Sequence, residues 1–574
     1  MSPHRETSLL EPRASVERTG ADQLPAPASH SIEIKLESDE RWWGGRVLDG
    51  SAMPYSSRRS GKFSLAPVDE GNQSQPLLIS STGRFVWNDQ PFDFEITGKM
   101  LKLRAPAASW ITGRIGGTLP EVFRGVSKRF FPASGTMPAP EMFSLPQYNT
   151  WIELLYDQRE EKILAYARAL VARGFPPGVL MIDANWQEDC GVWEFSARRF
   201  SQPKAMIEEL HALGFKVMLW VCPFVSPDSE TYRMLQKEGL LLREQIVEPG
   251  GRRIGPVHAA AIRWWDGISA VLDLSHPRAQ AWFKGRLDHL VREYGVDGFK
   301  LDAGDTGFYV PPSGRVFLSH EPRTPEEHTM DFARIGLEYP YNEYRAGWKL
   351  AGQPLAQRLR DKDHTWAALR DLIPGILAQG LMGYAFTCPD LIGGGLAGAF
   401  EDASKFDREL VVRAAQVHAL MPMMQFSVAP WRVLTPEECD ICLAAANLHA
   451  DYGERILTLA RQSALTGEPI VRPLAWSWPH RGYEEINDQF MLGDDTMVAP
   501  VLEKGARTRS VVFPPGLWRG DDGDVVEGPA TLEIAAPLAR LPYFQRQRQA
   551  ENAIQDPTDL SDPTDPSESM PRSP

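Results

Sequence analysis

The chain has 574 residues, with 61 Lys and Arg against 75 Asp and Glu, for a net charge of -14. That acidic surplus, with no Lys/Arg-rich block to offset it, excludes nucleic acid and anionic membrane as partners. The length exceeds a single hydrophobic core and leaves room for flanking domains around a barrel of about 250–400 residues.

Residues 1–30, rich in Ser, Pro, Ala and Arg, read as a disordered tail. Residues 1–20 contain no apolar run of signal-peptide or membrane-anchor length, so a cytoplasmic location is expected. From residue 31 to 144 short alternating runs appear, among them Phe92-Asp-Phe-Glu-Ile96 and Leu101-Lys-Leu-Arg104, separated by Gly, Asn and Pro. Period-two alternation of this kind predicts the antiparallel strands of an N-terminal β-sandwich.

Residues 145–478 alternate between strand-like and helix-like segments, the pattern of a (β/α)8 TIM barrel. Helical spacing is found at 160–173, 204–213 and 277–294, with strands at 178–183, 216–221 and 298–302 between and after them. Strands near 355–359, 383–387, 423–427 and 469–475 follow, and the resemblance described below implies the first strand, near Tyr148, that completes eight. The stretch 226–265 is too long for an ordinary βα loop and is expected to form a subdomain or lid. Residues 479–548 read as a C-terminal β-sandwich, and 549–574 as a disordered Asp/Pro/Ser tail. The fold class is therefore α/β, a barrel flanked by two β domains. Five cysteines are too few and too odd in number for a disulfide framework, and Cys439-Asp-Ile-Cys442 lacks the second pair of a zinc site.

The chemistry concentrates in Gly295-Val-Asp-Gly-Phe-Lys-Leu-Asp-Ala-Gly-Asp305, an apolar strand that runs into Lys300 and Asp302. Gly304 permits a sharp turn, which places Asp302 at the carboxyl end of a barrel strand with its head free. Lys300, two residues earlier, points to the same side and favours the ionised carboxylate. The alternative is a structural salt bridge inside the barrel. A second carboxyl group comes from Arg358-Leu-Arg-Asp-Lys-Asp-His-Thr-Trp366, as Asp361 or Asp363. Asp363 also reads as a helix N-cap, and the preference for Asp361 comes only from the family resemblance that follows.

These stretches resemble glycoside hydrolase family 31, in which a Lys-x-Asp triplet carries the nucleophile and the acid/base stands five residues before a tryptophan. Asp361 fits that spacing to Trp366, with Arg360 where the family has glycine. The likeness extends through Tyr148-Asn-Thr-Trp151, Val179-Leu-Met-Ile-Asp-Ala-Asn-Trp186, Lys216-Val-Met-Leu-Trp-Val-Cys-Pro-Phe224 and the run from Pro389 to Gly394, and covers about residues 145 to 545. Within the family it is closest to the myogenesis-regulating glycosidase group, which is associated with α-galactoside hydrolysis; Asp305 stands where that group has glutamate.

The resemblance implies a retaining, exo-acting α-glycoside hydrolase, first an α-galactosidase and second an α-glucosidase or α-xylosidase. Asp302 would be the nucleophile and Asp361 the acid/base, with Asp183, Trp186, Trp220, Lys300, Arg345 and Asp390 holding the sugar. Trp186 is expected in the pocket wall, or else as simple core packing, and Arg345 either donates to the sugar or sits on a surface helix. No metal or organic cofactor is implied. The partner is an α-linked oligosaccharide or glycoside, with no nucleic acid and no membrane; a homo-oligomer stays open. A non-catalytic carbohydrate-binding or scaffold protein on a decayed barrel is the rival of another class, and retention of both carboxylates argues against it.

Overall fold

The computed structural model describes residues 30–547 apart from 70 and 403, so the tails expected at 1–30 and 549–574 lie outside the described residues except for His30, which opens a strand. Eight parallel strands form the central sheet: β1 (Gln147–Asn149), β2 (Val179–Ile182), β3 (Lys216–Val221), β4 (Gly298–Leu301), β5 (Tyr341–Tyr344), β6 (Gln357–Arg358), β7 (Thr387–Cys388) and β8 (Gln425–Phe426). Neighbours in sequence are neighbours in space, and β8 returns to β1. A parallel bridge between Leu391 and Gln425, with the Ile392 N–H donating to the Gln425 carbonyl at 2.9 Å, ties β7 to β8 and closes the barrel.

The apolar runs explain the first four strands. Every residue of β2 and β4 is buried, as expected for strands covered on both sides. Gly298 has a steric reason to be glycine, because a Cβ there would lie 1.9 Å from the Tyr341 carbonyl oxygen on β5. The helix Pro277–Tyr294, between β3 and β4, begins with proline in its first turn, capped by His276 Nδ1 accepting from the Arg278 N–H, and ends at Gly295 with φ +80.

Two strand assignments need correction. Tyr341–Tyr344 is the fifth barrel strand, although its central Asn-Glu pair hides it from an apolar pattern. Asn342 is satisfied by the carbonyls of Tyr339 and Pro354, and Glu343 is wholly buried inside the barrel. The segment near 469–475, expected as the eighth strand, contributes only Val471–Arg472, and these pair antiparallel with Leu492 and Met491 in the C-terminal sheet. That sheet has six strands, Val471–Arg472, Phe490–Leu492, Thr496–Val498, Tyr543–Gln547, Thr508–Gly520 and Val525–Ala535 in spatial order. A register shift between Phe513 and Gly516 bends its long hairpin, and Met491, Phe513, Trp518 and Phe544 share its core.

The N-terminal domain has two antiparallel sheets. One carries His30–Lys35, Met100–Ala105, Asp93–Thr97 and Gly61–Ser64; the other carries Trp42–Arg46, Gln73–Ser80, Arg84–Trp87 and Ile111–Arg114. Gly347–Trp348, from the β5–β6 connection, adds to the second sheet parallel to Gln73–Ser74, so barrel and sandwich share a sheet.

The long excursion after β3 holds a helix, Glu230–Glu238, and two small sheets. Arg243–Val247 pairs both with Arg253–Ala259 and with Arg315–Leu318, which comes from the loop after β4. Two separate βα loops are thereby sewn into one body beside the barrel mouth. Among the described residues no helix is long and apolar enough to cross a membrane.

Candidate active site

Asp302 immediately follows β4, and its N–H donates to the Val221 carbonyl at 2.9 Å. The chain turns sharply there through two left-handed residues, Ala303 (φ +57) and Gly304 (φ +73). Ala303 lacks glycine's freedom, so this turn is strained, a frequent feature of reactive sites. One carboxylate oxygen of Asp302 accepts the Ala303 N–H at 2.9 Å and the Arg358 guanidinium at 3.0 Å. The other accepts the indole N–H of Trp220, at the end of β3, at 2.9 Å. Arg345, directly after β5, brings Nε within 3.5 Å of the same carboxylate.

Burial alone would push the Asp302 carboxyl up, but the guanidiniums of Arg345 and Arg358, then Lys300 and the Trp220 indole, hold it well below the usual carboxylate range. It is therefore an ionised group in a dry, cation-lined site.

Lys300 makes its direct bond elsewhere, to Asp183 at 2.7 Å, in a buried ion pair at the ends of β4 and β2. Removing either partner would strand a buried charge, at a cost of about 3–5 kcal/mol. Lys300 keeps its charge despite burial because Asp183 first, and Asp302 and Glu343 after it, raise its pKa.

Arg358, unnoticed as a site residue in the sequence, is the centre of the constellation. From the end of β6 its Nη2 reaches Asp302, and its Nη1 reaches Asp361 at 2.9 Å and Asp390 at 3.2 Å. One guanidinium is small, so the three carboxylates it touches stand together at the carboxyl ends of the strands. The available signal was its position at the end of a predicted strand, three residues before Asp361. Glu343 was missed with its strand; it lies 3.7 Å from Arg358 Nε and accepts from Gln425 at 2.7 Å.

Asp361 has 36% of its side chain exposed, against 9% for Asp302, so it is the wetter of the two carboxyls that Arg358 bridges. Asp363 is exposed and has no place in this network, and the N-cap of the helix Trp366–Leu381 is Thr365 rather than Asp363. Asp390 adopts φ +68 and pairs with Lys362 at 3.3 Å as well as with Arg358; burial raises its pKa.

Two further side chains decide between alternatives that the sequence left open. Arg345 is 3% exposed at a strand end, not on a surface helix; it binds Asp305 and lies 4.7 Å from the centre of the Trp265 ring. Trp186 stands behind the site instead of lining it. Its indole N–H is spent on the Trp220 carbonyl at 2.7 Å, and its ring, fully buried, packs on Phe195. It supports Trp220 from the core side and offers no donor to a ligand.

Arg345 Nε and Asp305 Oδ1 have no hydrogen-bond partner among the described residues. Buried polar atoms are rarely left so. A donor and an acceptor of this kind beside an ionised carboxylate suit a polyhydroxyl ligand.

A carboxylate pair at the mouth of a parallel barrel, bridged by one guanidinium, defines a class that sequence comparison identifies. The glycosyl hydrolases family 31 TIM-barrel domain matches residues 137–436 and the glycosyl hydrolase family 31 C-terminal domain matches residues 467–549. The chain belongs to glycoside hydrolase family 31. It is 34% identical over 563 residues to the myogenesis-regulating glycosidase of Mus musculus, covering 91% of this chain and 77% of that protein. It is 28% identical over 425 residues to the 1,3-alpha-isomaltosidase of Kribbella flavida, covering 65% of this chain and 56% of that one. Among solved structures, a family 31 alpha-xylosidase from a soil metagenome complexed with xylose aligns with TM-score 0.78 and 21% identity over 91% of this chain and 80% of its own. A Flavobacterium johnsoniae dextranase complexed with glucose gives TM-score 0.78 and 21% identity, covering 91% and 67%. At such identities the structural likeness speaks for the fold.

The electrostatics make one prediction directly. In Arg345→Met the first cation holding Asp302 low is gone, so the carboxyl pKa rises. With Asp302 acting as an ionised nucleophile, as proposed below, it would then be protonated at higher pH, and the acidic limb of kcat/KM is expected to move upward in pH. An acidic limb unchanged from wild type would show that Arg345 does not set the charge of Asp302.

Proposed function

We propose that this family 31 glycosidase is a retaining, exo-acting α-glycoside hydrolase, with α-galactosides as its first substrate class. The observation that carries the reading is the asymmetry of two carboxyls on one guanidinium: Asp302 buried and held ionised, Asp361 half-buried and open to water. Retention requires a nucleophile and a proton donor about 5–5.5 Å apart, on either side of the scissile bond. Asp302 attacks the anomeric carbon and forms a glycosyl ester while Asp361 protonates the departing oxygen. Asp361 then takes a proton from water, which attacks the ester and releases the sugar with its configuration kept.

The remaining groups assist by position. Trp220 and Arg358 fix the attacking oxygens, and Asp183 with Lys300 presents charged hydrogen-bonding groups to sugar hydroxyls. Support for the galactoside comes from the motifs shared with the myogenesis-regulating group. Relatives named alpha-glucosidase 2 and alpha-xylosidase, at 24% and 22% identity, support an α-glucoside or α-xyloside as the second reading.

The test is a panel of p-nitrophenyl α-galactoside, α-glucoside and α-xyloside with their β-anomers, with product configuration followed by NMR. Turnover of the α-galactoside with retention is the expected result. Preference for the glucoside or xyloside would discard the sugar and keep the mechanism; inversion would discard the mechanism.

A further inference from the structure

Two amide side chains of the N-terminal domain reach the carboxyl ends of the catalytic barrel's strands. Asn72, buried and left-handed at φ +56, precedes Gln73, which opens the strand Gln73–Ser80 and is wholly buried. Gln73 Nε2 donates to the carbonyl oxygens of Arg345 at 2.6 Å and Arg358 at 2.9 Å. Asn72 Nδ2 faces the same two carbonyls, at 3.4 and 3.2 Å. Asn72 Oδ1 accepts the N–H of Arg360, the residue before Asp361, at 3.0 Å. Gln73 Oε1 in turn accepts from Gln379 Nε2 at 2.7 Å.

The orientation of both amides follows from these partners, since a carbonyl oxygen can only accept and the Arg360 N–H can only donate. Only a primary amide offers two N–H donors and an acceptor on one rigid plane, which is what two converging carbonyls and a neighbouring N–H require. The carbonyls belong to residues just past β5 and at the end of β6, where the barrel's own ladder runs out and buried backbone oxygens need partners from elsewhere. The residues so gripped are the two arginines that set the charge of Asp302, and the backbone next to Asp361.

We propose that Asn72 and Gln73 are positioning residues of the catalytic centre, a backbone clamp supplied by the N-terminal domain that sets the spacing of Arg345 and Arg358 and through them of Asp302 and Asp361. This rests on the catalytic reading above. Neither side chain is assigned to substrate, so loosening the clamp acts on the reacting geometry more than on binding. A displacement of about 1 Å at such a centre lowers rate by about 100-fold.

Gln73→Met keeps the volume and removes every side-chain hydrogen bond of the residue, and is expected to lower kcat by about 10- to 100-fold with KM within about threefold of wild type. Gln73→Glu supplies a sharper readout. A carboxyl buried against two carbonyls has a raised pKa; it can donate to one of them only while protonated, and repels both once ionised. Its kcat is therefore expected to recover toward wild type as pH falls, relative to wild type and to Gln73→Met at the same pH. Asn72→Asp, which keeps the acceptor for Arg360, tests the other half of the clamp should a position-73 variant fail to fold, with a smaller loss of kcat expected.

All variants are assayed on the glycoside that wild-type protein turns over fastest, beside thermal unfolding curves. Folded Gln73→Met with wild-type kcat, a loss confined to KM, or a Gln73→Glu variant without acid recovery would each overturn the clamp and leave the catalytic reading standing. Wild-type protein inert to every glycoside would remove the catalytic reading and the clamp with it.

Discussion

Replacing Asp302 with asparagine is expected to lower turnover of every accepted glycoside by about 10⁴- to 10⁶-fold, because an amide cannot form the glycosyl ester. Asparagine keeps the shape, but its single amide oxygen can accept only one of the Trp220 and Ala303 N–H groups, which reach different oxygens of Asp302, and its NH2 must face the other donor. The lost charge is a different matter. Arg345, Arg358 and Lys300 all lean on it, and breaking a buried ionic network at one member costs about 3–5 kcal/mol. The variant should therefore unfold at a lower temperature than wild type while remaining folded at assay temperature. Steady-state kcat together with mass spectrometry after a fluorinated α-glycosyl fluoride checks the role: wild type gains one sugar mass on the peptide carrying Asp302, and the variant gains none. A label on another carboxylate, or residual turnover above about 1% of wild type, would give the nucleophile's role to a different residue.

The second large effect is at Asp361, and its signature is selectivity. In Asp361→Ala, glycosides with poor leaving groups should lose about 10²- to 10⁴-fold in kcat/KM, the usual contribution of a general acid. Substrates whose leaving group departs without a proton, such as glycosyl fluorides, should keep nearly wild-type kcat/KM, since only the second step then lacks its base. Added azide, which needs no base, should restore turnover and give a glycosyl azide of retained configuration. Asp363→Ala, changing an exposed carboxylate outside the network, is the control and should stay within about twofold. Equal losses for good and poor leaving groups would move the proton donor elsewhere. Little stability should be lost at Asp361, which is half exposed and has one cationic partner at 2.9 Å.

Much of the catalytic core was legible in the sequence because its determinants are local. The apolar strands at 179–182, 216–221 and 298–301 announce themselves, and Asp302 follows from a strand, a lysine two residues before it and a glycine two residues after it. Asp361 needed its spacing to Trp366. The failures share a physical cause, which is that pattern reading treats a charged or polar residue as a surface residue. Asn342 and Glu343 broke the apolar run of the fifth strand, though each finds a hydrogen-bond partner inside the protein. Arg358 carries a full charge in complete burial, tolerable because carboxylates after β4, on β5, in the β6–β7 loop and after β7 surround it. Such compensation is assembled by the fold and leaves no local trace. Trp186 stayed open between pocket wall and core, since nothing nearby in sequence shows that its N–H is consumed by the carbonyl of a residue 34 positions on.

The parallel pairing of Gly347–Trp348 with Gln73–Ser74 also bears on descent. A sheet shared by two domains does not respect a boundary drawn between them, and the stretch that matches the family's barrel, residues 137–436, leaves one side of that pairing outside. Recombination that exchanged the barrel alone would part the two strands and expose both edges. The unit that can be inherited intact is thus longer than the barrel, and variation in the N-terminal strand at 73–80 is constrained by a neighbour encoded some 270 residues downstream.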